Sequence, residues 1–145
     1  SVLYESKYFF TRMDLFPITP GHCEIIPKDH KASMLELTLV EQLDFFSTLH
    51  TSLERLNDVH LKNYYTSLLA VAPNKKSEEL LHQAIQSPYC DEKIIHWNGG
   101  INEGEYAGRS IHHMHFHIIP RYKGDVANPR GGVRNIFPKD ADYMK

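Results

Sequence analysis

At 145 residues, with 41% hydrophobic and 23% charged positions, the chain is sized for one globular domain with a real hydrophobic core. A formal net charge of -2 argues against a broad electrostatic footprint for nucleic acid. No apolar run reaches membrane-spanning length, no basic-then-apolar leader opens the chain, and two distant cysteines, Cys23 and Cys90, suit neither a disulfide framework nor a zinc ribbon, so a reducing, cytoplasmic setting is expected.

Tyr8–Met13 is β-prone, and the turn chemistry of Phe16-Pro17-Ile18-Thr19-Pro20-Gly21 breaks it before a second short strand over Cys23–Pro27. Lys28–Lys31 is a polar exit. Thr38-Leu39-Val40-Glu41 is a capping box and starts a helix that runs to about Asn57. Its stripe of Leu39, Leu43, Phe46, Leu49, Leu53 and Leu56 reads as core, with a dimer interface as a second use. Residues 61–72 read as helix, Pro73–Lys76 as a break, and Ser77 as the cap of another helix through Ile85. Ile94–Ile101 reads as a strand, Asn102–Gly108 as a loop, and Ile111–Pro120 as the strand that completes the hairpin, ended by Pro120. The tail after Arg121 is basic and glycine-rich, with little room for regular structure. Strands, then helices, then strands predict an α+β domain, its helices gathered on one face of an antiparallel sheet.

His113, His115 and His117 alternate with Met114, Phe116 and Ile118, the period of a strand with one wet and one buried face. Neighbouring imidazoles would lie roughly 6.5–7 Å apart in a row. Such a row gives up a strand's apolar content, so chemistry is expected. A neutral imidazole can displace a leaving group from phosphorus, and Asn102, Arg109 and Ser110 supply donors for the developing charge. Equally, an H-x-H pair with His22, His30 or His96 could bind zinc or copper. The remaining histidines carry blander readings. His22 satisfies a hairpin, His112 points opposite His113, and His50, His60 and His82 are solvated.

His113-x-His115-x-His117-Ile118-Ile119 resembles the signature of the histidine-triad (HIT) superfamily. So do Pro20-Gly21-His22-x-x-Ile25-Ile26-Pro27-Lys28-x-His30 and Asn102-Glu103-Gly104-x-x-x-Gly108-x-Ser110. Pro120-Arg121-x-x-Gly124-Asp125 is similar to the fragile-histidine-triad (Fhit), or dinucleoside polyphosphate hydrolase, branch. The resemblance covers 8–30 and 94–134 and leaves 59–93 as an insertion within a single domain over 1–145. It implies a homodimeric nucleotide hydrolase or nucleotidyl transferase that cleaves at the α-phosphate through a nucleotidyl-histidine. His115 would be the nucleophile, His113 and His117 its orienting partners, and Ser110 the donor to the leaving oxygen. Asn102, His30 and Asp14 would contact phosphate and ribose. No metal and no tightly bound cofactor are implied, although Mg²⁺ can arrive with the substrate. Arg109 stands where that branch has Gln, a fork for phosphate oxygens that cannot accept a hydrogen bond. In the tail, Arg130-Gly131-Gly132-Val133-Arg134 suggests guanidinium and backbone N–H groups around an anion. The rival functions are a metal-dependent enzyme and a non-catalytic nucleotide-sensing module.

Overall fold

A computed structural model describes residues 2–144. Five strands form one antiparallel sheet: β1 (Val2–Glu5), β2 (Phe9–Met13), β3 (Cys23–Pro27), β4 (His96–Ile101) and β5 (Phe116–Arg121). Their spatial order is β1-β2-β3-β5-β4. Helices α1 (Leu39–Arg55), α2 (Leu61–Leu68) and α3 (Lys75–Gln86) fill the chain between β3 and β4. The α+β reading holds.

Strand alternation separates two faces. Phe9, Thr11, Met13, Cys23, Ile25 and Ile118 turn to the helices and are buried there with Phe45, Leu56, Tyr65 and Leu81. The other face carries a straight row across four strands, because Arg12 pairs with Glu24, Glu24 with His117, and His117 with Gly100.

The capping box forms as expected: the Glu41 amide donates to the Thr38 hydroxyl and the Thr38 amide to the Glu41 carboxylate. The buried face of α1 differs from the predicted stripe. Phe45, Thr48, Ser52 and Leu56 point inward, while Leu39, Leu43 and Phe46 are exposed. Small hydroxylated residues suit a helix that crosses the sheet closely. Ser52 shares a 2.7 Å hydrogen bond with Thr11, and the Thr48 hydroxyl donates to the Asp44 carbonyl. Both hydroxyls are therefore satisfied without water.

Helix α2 stands where expected and continues as a 3₁₀ turn over Leu69–Val71. Helix α3 begins earlier than predicted, since Asn74 is its cap and accepts from the Ser77 amide. Ser77 sits inside the helix and donates its hydroxyl to the Leu15 carbonyl. Segment 59–93 belongs to the core: Leu61, Tyr65, Leu68, Leu81, Ala84 and Cys90 are all buried in it. Cys23 and Cys90 are free thiols.

Pro120 lies inside β5 instead of ending it. Its carbonyl accepts from the Thr19 hydroxyl on the β3 side, where the ladder has already stopped at Ile118. No partner there needs the missing N–H. At the other end the strand starts only at Phe116, so His117 alone of the triad is in the ladder. The lead-in is tied by the Met114 amide to the Lys31 carbonyl. Beyond β5, Arg121 grips Asp125 through two nitrogens and Asn98 through a third. This fork turns the chain back over β4, where Gly132–Ile136 and Pro138–Asp140 form 3₁₀ turns.

Candidate active site

The site is assembled at one turn. Gly21 has φ +91°, and a Cβ there would stand 2.8 Å from Ile94 Cδ1 and 2.9 Å from Pro120 Cγ. Two tyrosines clamp this turn: the Gly21 amide donates to Tyr65 Oη, and Tyr122 Oη donates to the Pro20 carbonyl. Tyr65 comes from α2, so segment 59–93 supports the site from beneath. His22 follows, only 4% exposed.

From His22 the hydrogen bonds fix a chain of tautomers. The Ile18 amide donates to His22 Nδ1, which must therefore be the unprotonated nitrogen of a neutral ring. His22 Nε2 then carries the proton and faces His117 Nδ1 at 2.9 Å. His117 accepts it, and its own proton falls on Nε2. Asp14 Oδ2 lies 3.4 Å from His22 Nε2 and 3.8 Å from His117 Nδ1, while Asp14 Oδ1 accepts from the Phe16 amide. Burial pushes the His22 pKa down to about 4, against the pull of Asp14 and with the help of His117. The His117 pKa is also lowered, first by burial. Both rings are neutral at pH 7.

His115 is set by a different bond. Its Nδ1 lies 3.0 Å from the His113 carbonyl, so Nδ1 holds the proton and Nε2 keeps a free lone pair. Its ring stands edge-on to His117, centroids 5.0 Å apart. The ring thus presents an unprotonated nitrogen beside the N–H of His117, an arrangement chemically able to act as a nucleophile.

The three triad rings do not form one row. His113 turns toward His30, with the two Nδ1 atoms 3.1 Å apart, and its Nε2 reaches the Pro27 carbonyl. Pro27 ends β3, and the lead-in to β5 has left the ladder there, so nothing holds His113 in strand geometry. Its Nε2 carries the proton, and His30 donates to Nδ1. His112 is exposed beside His30, while His50, His60, His82 and His96 are exposed away from the site. His60 caps α2 through the Asn63 amide.

Arg109 donates to the Ala32 carbonyl and fastens the loop before the triad to the chain after β3. Glu103 strengthens the same tie by accepting from Ser33 and Met34. Ser110 is exposed and makes no hydrogen bond among the described residues. Asn102 is exposed at the rim of a cavity of about 1000 Å³ between the sheet and the returning tail, lined also by His22, His117, Ile119 and Ile136. Small-molecule sites typically occupy roughly 300–1,000 Å³. Neither Arg130 nor Arg134 lines this cavity. Arg130 is exposed, whereas Arg134 donates to the Ala141 and Asp140 carbonyls and lies over the Tyr143 ring. Arg134 holds the C-terminal turns together.

Among the described residues, two sets of side chains bring three metal-ligand atoms within 4.8 Å of one another: Asp14, His22 and His117, and Glu24, His115 and His117. In the first set, a metal on His22 Nε2 would move the proton to Nδ1 and displace the Ile18 amide. The hydrogen-bonded arrangement and metal ligation are thus exclusive at His22.

Two of these groups go beyond the sequence reading. His22, which the sequence offers as a hairpin residue, a candidate metal ligand and part of the Pro-Gly-His motif, anchors the tautomer chain. Glu24 was not singled out, although it is the lone acid in an otherwise apolar strand, Cys23–Pro27, and that was a usable signal.

Comparison with known proteins adds a family. The family model described as HIT domain matches residues 1–124. A bis(5'-adenosyl)-triphosphatase of Saccharomyces cerevisiae (strain YJM789) is 32% identical over 123 residues, covering 84% of this chain and 44% of that protein. The chain thus spans less than half the length of that relative. The protein hit of Bacillus subtilis (strain 168) is 30% identical over 144 residues, 99% of this chain and 73% of its own. Among solved structures, a HIT family protein from Bacillus subtilis aligns with a TM-score of 0.59 at 22% identity, covering 97% of this chain and 85% of its own.

Proposed function

Because the chain belongs to the HIT domain family, we propose that it is a nucleotide hydrolase that splits dinucleoside polyphosphates or related nucleotidyl conjugates at the α-phosphate. The observation that carries this reading is the His115 tautomer: Nδ1 is committed to the His113 carbonyl and Nε2 is free. In the first step the Nε2 lone pair forms an N–P bond, and the P–O bond to the leaving polyphosphate breaks with its electron pair. In the second, water attacks phosphorus, the N–P electron pair returns to Nε2, and the water proton passes to solvent. His117 Nε2–H donates to a phosphoryl oxygen, and His113, locked to Pro27 and His30, presents the carbonyl that orients the nucleophile.

Asp14 contacts the ribose and Asn102, at the cavity rim, contacts phosphate. Ser110 and Arg109 serve the leaving group, Ser110 once its loop closes on the substrate and Arg109 with the donors it does not spend on Ala32. His30 and Arg130 are the further phosphate contacts, Arg130 being exposed. Mg²⁺ comes with the substrate, and no other cofactor is needed. The protein acts as a homodimer, a reading supported by the apolar face of α1 formed by Leu39, Val40, Leu43 and Phe46, each more than half exposed. Among the described residues no helix is long and apolar enough to cross a membrane.

The test is product chromatography with diadenosine tetraphosphate and Mg²⁺, run beside His115→Asn. AMP plus ATP from the wild type, and neither from the variant, is expected. Cleavage that survives in His115→Asn would sink the mechanism.

A further inference from the structure

Glu24 has no part in the scheme above, yet it is placed at its centre. It is 7% exposed and lies in the cross-sheet row between Arg12 and His117. Arg12 Nε donates to its Oε1 at 2.9 Å. A Glu24 carboxylate oxygen also lies within 4.8 Å of a ring nitrogen of both His115 and His117, without hydrogen-bonding to either. Oε2 takes no hydrogen bond from the described residues. A carboxylate taken this far out of water needs a reason, since an apolar side chain would fill the same strand position at lower cost.

We propose that Glu24, held in place by Arg12, is a positioning residue that acts through space on the two imidazoles of His115 and His117 and balances the cation formed at His115. The second part rests on the nucleotidyl-histidine reading. When Nε2 bonds to phosphorus while Nδ1 keeps its proton, the ring acquires a full positive charge. A fixed carboxylate on the same sheet face offsets that charge as it develops, with no reorganisation. Arg12 stands on the far side of Glu24 from His117 and neutralises part of its field at long range.

The groups facing this pair can all be named. Asp14 and His22 come from the turn before β3, Glu24 from β3, and Arg12 from β2 behind it. Gly100, opposite His117 on β4, brings no charge. Asp14 lies 3.8 Å from His117 Nδ1 and is grouped with His22 and His117, whereas Glu24 is the carboxylate grouped with both His115 and His117. In keeping with this, Glu24 pulls the His117 pKa upward, opposing the lowering by burial.

The experiment compares wild type, Glu24→Gln and Glu24→Asp in two measurements. Histidine ¹⁵N NMR titration of the ligand-free protein reads the rings without any substrate. Removing the negative charge should lower the His117 midpoint by about half a unit or more, with Glu24→Asp in between. Single-turnover formation of nucleotidyl-His115 from diadenosine tetraphosphate should then show its acid limb moved to lower pH and its plateau lowered about tenfold or more. A purely structural ion pair would lower the plateau by misfolding a fraction of the protein and leave the limb in place. An unchanged His117 midpoint in Glu24→Gln overturns the proposal whatever the turnover. A midpoint that shifts in Glu24→Gln, with a wild type that forms no nucleotidyl-histidine, overturns the functional reading and the charge-balancing role and leaves the through-space coupling demonstrated. If Glu24→Gln does not fold, Glu24→Asp carries the same comparison, and a wild-type midpoint with a wild-type limb in that variant counts against the proposal.

Discussion

His22 should make this protein acid-sensitive by an amount that can be worked out. Its ring is buried neutral, with a pKa lowered to about 4 from an ordinary 6.5. The unfolded chain therefore takes up a proton as pH falls through 6.5, whereas the folded protein resists until about 4. Stability from this group is full above 6.5, is lost progressively below it, and levels off below 4. The linkage amounts to about 3 kcal/mol across the whole window and about 2 kcal/mol between pH 8 and pH 5. At 6% side-chain exposure solvent screens little of it. Lowering of the His117 pKa acts in the same direction. The perturbation is His22→Gln, whose amide can still accept from Ile18 and donate toward His117 but does not titrate. Urea unfolding at pH 7.5 and pH 5 should show the wild type losing more stability than the variant by about 2 kcal/mol. Equal losses in the two proteins would refute the assignment of a buried neutral His22.

Two further substitutions test the supports of the site. Gly21→Ala places a Cβ at φ +91° against Ile94 and Pro120. Left-handed strain of about 1–2 kcal/mol and overpacking of about 1–3 kcal/mol predict a loss of roughly 2–5 kcal/mol, read by denaturant unfolding, together with loss of the His22–His117 bond in the NMR spectrum. Phe46→Glu alters an exposed ring on α1, so it should leave monomer folding within about 0.5 kcal/mol of wild type and shift sedimentation from dimer toward monomer. A dimer that survives at equal concentration places the interface elsewhere.

Local signals were the legible ones. The Thr38–Glu41 box needs only three residues of separation, and the alternation of His113, His115 and His117 needs only a strand period, so both could be read directly. The inward face of α1 could not, because apolar counting gives Thr48 and Ser52 no weight. Their burial depends on Thr11 arriving from another strand as a hydroxyl partner. The same spacing that suggested Leu39, Leu43 and Phe46 also fits Phe45, Thr48, Ser52 and Leu56, and only the sheet decides between them.

The division of the triad follows from where the β3 ladder stops, and a single stretch of sequence does not contain that information. His117 is paired on both sides, by Glu24 and Gly100, so it holds strand geometry. His113 lies beyond the last pair, and its Nε2 reaches the Pro27 carbonyl. His115 stands between them, takes its proton position from the His113 backbone and sets its ring edge-on to His117. The roles of three identical residues thus differ because each meets a different neighbour on β3: a carboxylate, a gap, or a chain end. Register, which periodicity cannot supply, is what turned an alternating pattern into three imidazoles with distinct partners.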